Sequence, residues 1–323
     1  MACDLNQNDE QRQILDAATA LLEESFPVSR SLGDDQERID KLAEFGAFAL
    51  ALDDDLGGTG FTLVEEVLLH VRFGRHIVPA GALAAPVAAR IAAELGDNDL
   101  AREIATGQIA VSAGILAGDR LRTLDDTKAK LALVFDRRRL ELVEIANADG
   151  ETATGLGQGA ELTEFPFVAT TRIGASNSAS ILNVADLLVS AQLLGIAEAA
   201  RDLAVSYAGM RRQFGKPIGA FQAIKHHCAN MAISAEMLSA QLDMAAIAQR
   251  DSRDDAAFQT AAARLLAPRV ALANARLCIQ VHGGIGFSAE ADAHRFLKQA
   301  HLLRQLGGGA AMLDLASPMA PHR

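Results

Sequence analysis

The chain has no tryptophan, one tyrosine and three cysteines in 323 residues. The thiols Cys3, Cys228 and Cys278 are too few and too scattered for a disulfide framework, and they match no metal-ligand spacing. Positive charge is also in the minority, with 30 Lys and Arg against 41 Asp and Glu and a formal net charge of −11. Such a chain repels phosphate backbones, which argues against nucleic acid as a partner; a local basic patch would still hold a phosphorylated small molecule. The most apolar stretches meet Asp, Glu or Arg before the roughly 20 residues of a membrane span. The amino terminus, MACDLNQNDEQRQ, is polar and acidic, unlike a signal peptide. These absences lead us to expect a soluble, reduced, cytoplasmic protein that binds no metal, membrane or nucleic acid.

Half of the residues are hydrophobic, with alanine and leucine dominant, a composition that favours helices. The length suits two or three domains around a large core. Residues 9–25, 36–50, 62–75 and 82–95 show helical periodicity, interrupted by DDDLGGTGF and by HIVPAG with Pro79. Between about 109 and 172 the texture changes to short Val-, Ile-, Leu- and Phe-rich runs, KLALVF, LELVEIA and PFVATTRI, which read as strands. Helical period returns near Val184 and continues to about 305 in four segments with short connections, the pattern of an antiparallel bundle. The expected fold is therefore mostly α with a small central β region. Its parts are an N-terminal helical domain (1–108), a short β-barrel-like domain (109–177) and a C-terminal four-helix bundle (178–323).

Between the first two bundle helices lies RRQFGKPIGAFQAIKHHCANM. Arg211, Gln213, Phe214, Gly215, Pro217, Ile218, Phe221, Gln222, Lys225, His226, Ala229 and Met231 follow the spacing of a signature of the acyl-CoA dehydrogenase family, which the chain resembles. Gln280, Gly283, Gly284, Gly286, Phe287 and Glu290 follow a second signature. EFGAFALALDDDLGGTGFTLVEEVLLHVRFGR resembles the family's first domain. The resemblance implies FAD as cofactor and an acyl-CoA as substrate. It places Arg211 on the pyrophosphate, Gln213 beside it, Phe214 against adenine, Gln280 near ribose and pyrophosphate, and Gly283 and Gly284 where backbone approaches closely. Read alone, Gly283–Gly284 is an ordinary helix C-cap. KHH at 225–227 is no metal motif, because adjacent helical side chains diverge by about 100°. GLGQG at 155–159 has the wrong spacing for a dinucleotide fingerprint and reads as a loop.

The family removes an α-proton with a Glu carboxylate while the β-hydride leaves to the flavin. In this sequence Gly307 occupies the usual Glu position. At the alternative position, on the first bundle helix, stands Ala185, with Asp186 one step further. Asp186 is a weak candidate base, and a helix-start carboxylate favoured by the dipole is the better reading. VSAGILAGDRLR replaces the family's flavin-gripping segment. The resemblance then implies a subunit that completes the flavin site of a longer family chain in an α2β2 assembly, as in bacterial steroid-degrading members, or a homo-oligomer. An electron-transfer flavoprotein is the implied acceptor. A flavin monooxygenase of the same fold and a flavin-free scaffold are the alternatives.

Overall fold

The computed structural model describes residues 7–29, 36–124, 129–136, 139–145, 148–153 and 162–307. Helix α1 (Asp9–Ser25) starts where Asn8 accepts the Gln11 N–H and the Gln11 side chain accepts the Asn8 N–H. Thr62 and Glu65 cap α3 (Leu63–Arg75) in the same reciprocal way. Glu65 also accepts from the Gln11 side chain, which ties the two helices together. Helix α2 (Gln36–Glu44) is shorter than its apolar pattern predicts. Gly46 takes φ +83°, and the chain turns rather than continuing to residue 50. Helix α4 (Gly81–Glu94) follows Pro79 as expected, and α5 (Asn98–Ala105) was not foreseen.

A buried ion pair fastens this region. Glu66 has no solvent exposure, and Arg90 on α4 meets its two oxygens at 3.0 and 2.7 Å. The same guanidinium donates to the Ala51 carbonyl at 3.0 Å, so the carboxylate is paired and the turn before α3 is held as well.

The strands form one mixed sheet: β1 (Val111–Ala117), β2 (Arg120–Thr123), β3 (Leu131–Phe135), β4 (Leu140–Glu144), β5 (Glu151–Ala153), β6 (Leu162–Pro166) and β7 (Thr171–Ser176). The order is β5-β6-β2-β1-β3-β4-β7, and among the described residues only the β1–β3 pair is parallel. Alternation sets the two faces. Leu131, Leu133 and Phe135 of β3 join the helical core, whereas Ala132 and Val134 join a second small core with Leu121, Val143 and Phe165. The loop reading of residues 155–159 lies outside the described residues, as does Cys3.

Helices α6 (Ala179–Met210), α7 (Gln222–Arg250), α8 (Ala256–His282) and α9 (Ala293–Leu303) make the bundle. Between α6 and α7 a two-stranded ribbon, β8 (Arg212–Gln213) and β9 (Lys216–Pro217), turns at Phe214 and Gly215, whose φ angles are +52° and +79°. Among the described residues α6 is the one helix long and apolar enough by length and composition to cross a membrane, although Asp186, Glu198, Arg201 and Asp202 interrupt its apolar run. Its apolar surface is instead taken up by neighbours, chiefly α3, α7 and α8. Its crossing with α3 is very close. A Cβ on Gly195 would fall 2.0 Å from the Val71 carbonyl oxygen, and one on Gly74 2.0 Å from that of Gln192. Arg75, the next residue, then reaches Glu198 at 3.0 Å and Asp202 at 2.8 Å.

Candidate functional site

In an antiparallel bundle the end of α6, the start of α7 and the end of α8 share one end. One contact joins them directly. Tyr207, in the last turn of α6, stacks on His282, the last residue of α8, with centroids 4.1 Å apart and rings 22° from parallel. The Tyr207 carbonyl accepts the Arg211 N–H, and Gly283 follows His282 directly. The two signature segments, about seventy residues apart in sequence, are thereby brought to one surface.

Each polar member of that surface is available. Arg211, Gln213 and Gln280 are exposed, and among the described residues their side chains make no hydrogen bond or ion pair. Phe214 is 91 % exposed and meets Phe221 edge-on at 6.1 Å, while the Lys216 ammonium lies 4.4 Å from the Phe221 ring centroid. Gly283 is the C-cap of α8, at φ +64° and ψ −142°, a conformation open essentially to glycine alone. The C-cap reading and the open approach coexist here, since a Cβ at either Gly283 or Gly284 would meet nothing within 4 Å. A hollow of about 390 Å3 lies beside the ribbon, between Ala208, Pro217, Gly219 and Ile224. His226 and His227 lie on α7 with exposed and half-buried side chains. Among the described residues no group of three His, Cys, Asp or Glu is placed to hold a metal. Cys278 is buried, and its thiol is pushed up to about 12 by burial first and the neighbouring Cys228 second, which leaves it unreactive.

The second candidate position gives a different picture. Asp186 lies seven residues into α6, which starts at Ala179 and not near Val184, so the helix-start reading of this carboxylate is corrected. Its Oδ1 lies 3.2 Å from Arg264 Nε, and a Cβ built on Gly307 would come within 3.1 Å of the same oxygen. The two positions considered separately for the base therefore converge. Arg264 is 3 % exposed and also donates to the carbonyls of Arg304 and Leu306. Burial pulls its guanidinium below the ordinary arginine value, and Asp186 acts in the opposite direction. The carboxylate is committed to an internal ion pair, and Gly307 contributes no acid or base.

The model of the acyl-CoA dehydrogenase C-terminal domain matches residues 174–315, and that of the N-terminal domain matches residues 8–107. Acyl-CoA dehydrogenase IpdE2 of Mycobacterium tuberculosis is 30 % identical over 272 residues, which cover 81 % of this chain and 79 % of that protein. The chain belongs to the acyl-CoA dehydrogenase family. Acyl-CoA dehydrogenase FadE34 of the same organism is 32 % identical over 83 % of this chain, which spans only 40 % of that longer relative. Two solved structures share the fold. The Tcur3481-Tcur3483 steroid ACAD G363A variant has a TM-score of 0.80 at 22 % identity, covering 95 % of this chain and 97 % of that one. The ChsE4-ChsE5 complex from Mycobacterium tuberculosis has a TM-score of 0.78 at 20 % identity, covering 98 % and 100 %.

Within this acyl-CoA dehydrogenase chain, VSAGILAGDRLR forms the β1–β2 hairpin, with Gly118 at φ +68° in its turn. Sequence reasoning missed three residues that organise the site: Tyr207, His282 and Arg264. The only signal for Tyr207 was its rarity, as the single tyrosine of the chain. His282 adjoins the glycine pair, and nothing local distinguishes Arg264 from the other arginines of the bundle.

Proposed function

We propose that this chain is a subunit of an FAD-dependent acyl-CoA dehydrogenase, and that it completes the flavin site of a longer family chain carrying the catalytic carboxylate. The observation that supports this reading is the Tyr207–His282 stack, which joins at one end of the bundle the segments that carry exposed Arg211 and Gln280. A guanidinium fork and an amide are suitable donors for a pyrophosphate, and the uncrowded glycines leave room for it. The residues present thus fit FAD, with Arg211 and Gln213 toward the pyrophosphate, Phe214 toward the adenine, and Gln280, Gly283 and Gly284 toward the ribose side. When bound, the flavin supplies a hydride acceptor for α,β-dehydrogenation of a CoA thioester.

The chain's own catalytic position supports partner dependence. Asp186 is held by Arg264 and residue 307 has no side chain, which favours a base supplied by another chain. The division into domains at 1–108, 109–177 and 178–323 is part of this reading. So are an α2β2 assembly, a steroid-derived acyl-CoA, an electron-transfer flavoprotein as acceptor and a cytoplasmic location. The names of the steroid ACAD and of the ChsE4-ChsE5 complex among similar structures favour the substrate class and the paired assembly.

The test is co-expression with a candidate longer chain, followed by flavin quantification. The chain alone should retain little FAD, and the complex should hold about one flavin per two chains. Full flavin occupancy of the purified homo-oligomer would overturn partner dependence. A loss of at least about a hundredfold in turnover for Asp186→Ala in the complex, with flavin intact, would make this chain the catalytic one.

A further inference from the structure

Sixteen residues before Gln280, about 24 Å along α8 from the flavin-facing end, the same helix carries a second concavity of different construction. A cavity of about 420 Å3 opens between α8 and the segment leaving α9, a volume within the range of small-molecule sites. Arg264, Arg269 and Arg304 form its polar wall, and Leu265, Pro268 and Leu272 form an apolar one.

The charges do not cancel. Arg269 and Arg304 are exposed, and among the described residues neither side chain makes an ion pair or hydrogen bond. Arg264 spends Nε on Asp186 and Nη2 on two carbonyls, and its Nη1 has no partner among the described residues although the side chain is almost wholly buried. Gly307 also lines the cavity and adds no second carboxylate. In a chain of net charge −11, three guanidinium groups therefore line one cavity, and among the described residues the one carboxylate ion-paired with any of them is Asp186. A planar donor fork is best matched by a carboxylate or phosphate, and the apolar wall favours a ligand with a hydrocarbon body.

We propose that this cavity binds an amphiphilic carboxylate. Its oxyanion lies between Arg269 and Arg304 with Arg264 beneath, and its hydrocarbon rests on Leu265, Pro268 and Leu272. The proposal uses none of the residues assigned to the flavin, but Arg264 and Gly307 also mark the position considered for the base, so octanoate binding and flavin retention are measured as separate readouts.

Calorimetric titration of the full chain with octanoate, octanamide and inorganic phosphate tests it. Octanoate should bind saturably with one site per chain, phosphate more weakly and octanamide not at all. In the Arg269→Gln, Arg304→Gln double variant, octanoate affinity should fall at least about tenfold with the melting temperature unchanged, since both side chains are exposed and unpaired. Absent octanoate binding, binding unaffected by the double substitution, or equal binding of octanamide would each overturn the site. Tighter binding of phosphate than of octanoate would overturn the carboxylate assignment.

Discussion

Arg211 leaves the end of α6 with its guanidinium in solvent and its backbone fixed at both sides, by bonds to the Tyr207 carbonyl and from the Ile218 N–H. Its side chain thus contributes nothing to the fold of the isolated chain. In the proposed assembly, loss of a charge-assisted bond from Arg211 to phosphate would cost about 1.5–3 kcal/mol. Arg211→Ala should therefore weaken FAD retention tenfold to a hundredfold while leaving the melting temperature of the free chain unchanged; wild-type flavin affinity would refute the assignment. Asp243 is the opposite kind of residue. It is partly buried on α7, and among the described residues it has no hydrogen-bond or ion-pair partner. Burial first, then Glu198 and Glu236, raise its carboxyl to about 6. A carboxyl raised on folding stabilises the fold below its unfolded value near 4, and that contribution is lost as pH rises through 6. Asp243→Asn should therefore stabilise the chain at pH 8 by about 1–2 kcal/mol, after discounting for partial exposure, and the gain should vanish near pH 4. Denaturant unfolding at the two pH values measures this, and a gain of the same size at both would count against it.

At the scale of elements, the crossing of α3 and α6 decides how the N-terminal helices seat on the bundle. It depends on Gly74 and Gly195, where backbone meets backbone and no side chain fits. Gly195→Ala would force the helices apart or break the carbonyl geometry of α3, at a cost of at least about 3 kcal/mol. The control lies on the same helix. A Cβ at Gly209 meets nothing within 4 Å, so Gly209→Ala should be neutral or stabilise by about 0.5–1 kcal/mol. Comparable melting temperatures for the two variants would show that the close crossing carries no energetic weight. The Gly–Arg pair at the end of α3 was visible as a motif, but the reason for it was not. Gly74 grants the approach, and Arg75 uses it to reach Glu198 and Asp202.

For the whole molecule, the bundle end proposed to face the flavin is also where large apolar side chains are left in water. Phe214 is 91 %, Phe287 78 % and Met210 71 % exposed, a cluster of the kind that marks an interaction surface. The proposed assembly covers it. Phe214→Ser together with Phe287→Ser should weaken association with the partner at least about tenfold, as read by sedimentation velocity. The same pair of changes should leave the fold of the single chain intact, and undiminished association would place the interface elsewhere.

Element types, their order and the two signature segments follow from local information. The spacing from Arg211 to Ile218 and from Gln280 to Phe287, the capping residue Thr62 with Glu65, and the short apolar runs of β3 and β4 all lie within short windows. Neighbouring residues act on one another there whatever the rest of the chain does. The meeting of Tyr207 with His282, the Asp186–Arg264 pair at the position considered for the base, and the three-arginine cavity beside Gly307 join residues from different helices. Periodicity reports which face of a helix is apolar, but not which charged side chain on one helix will oppose which on another. That is settled only when crossing angle, helix start and close glycine contacts bring specific turns together.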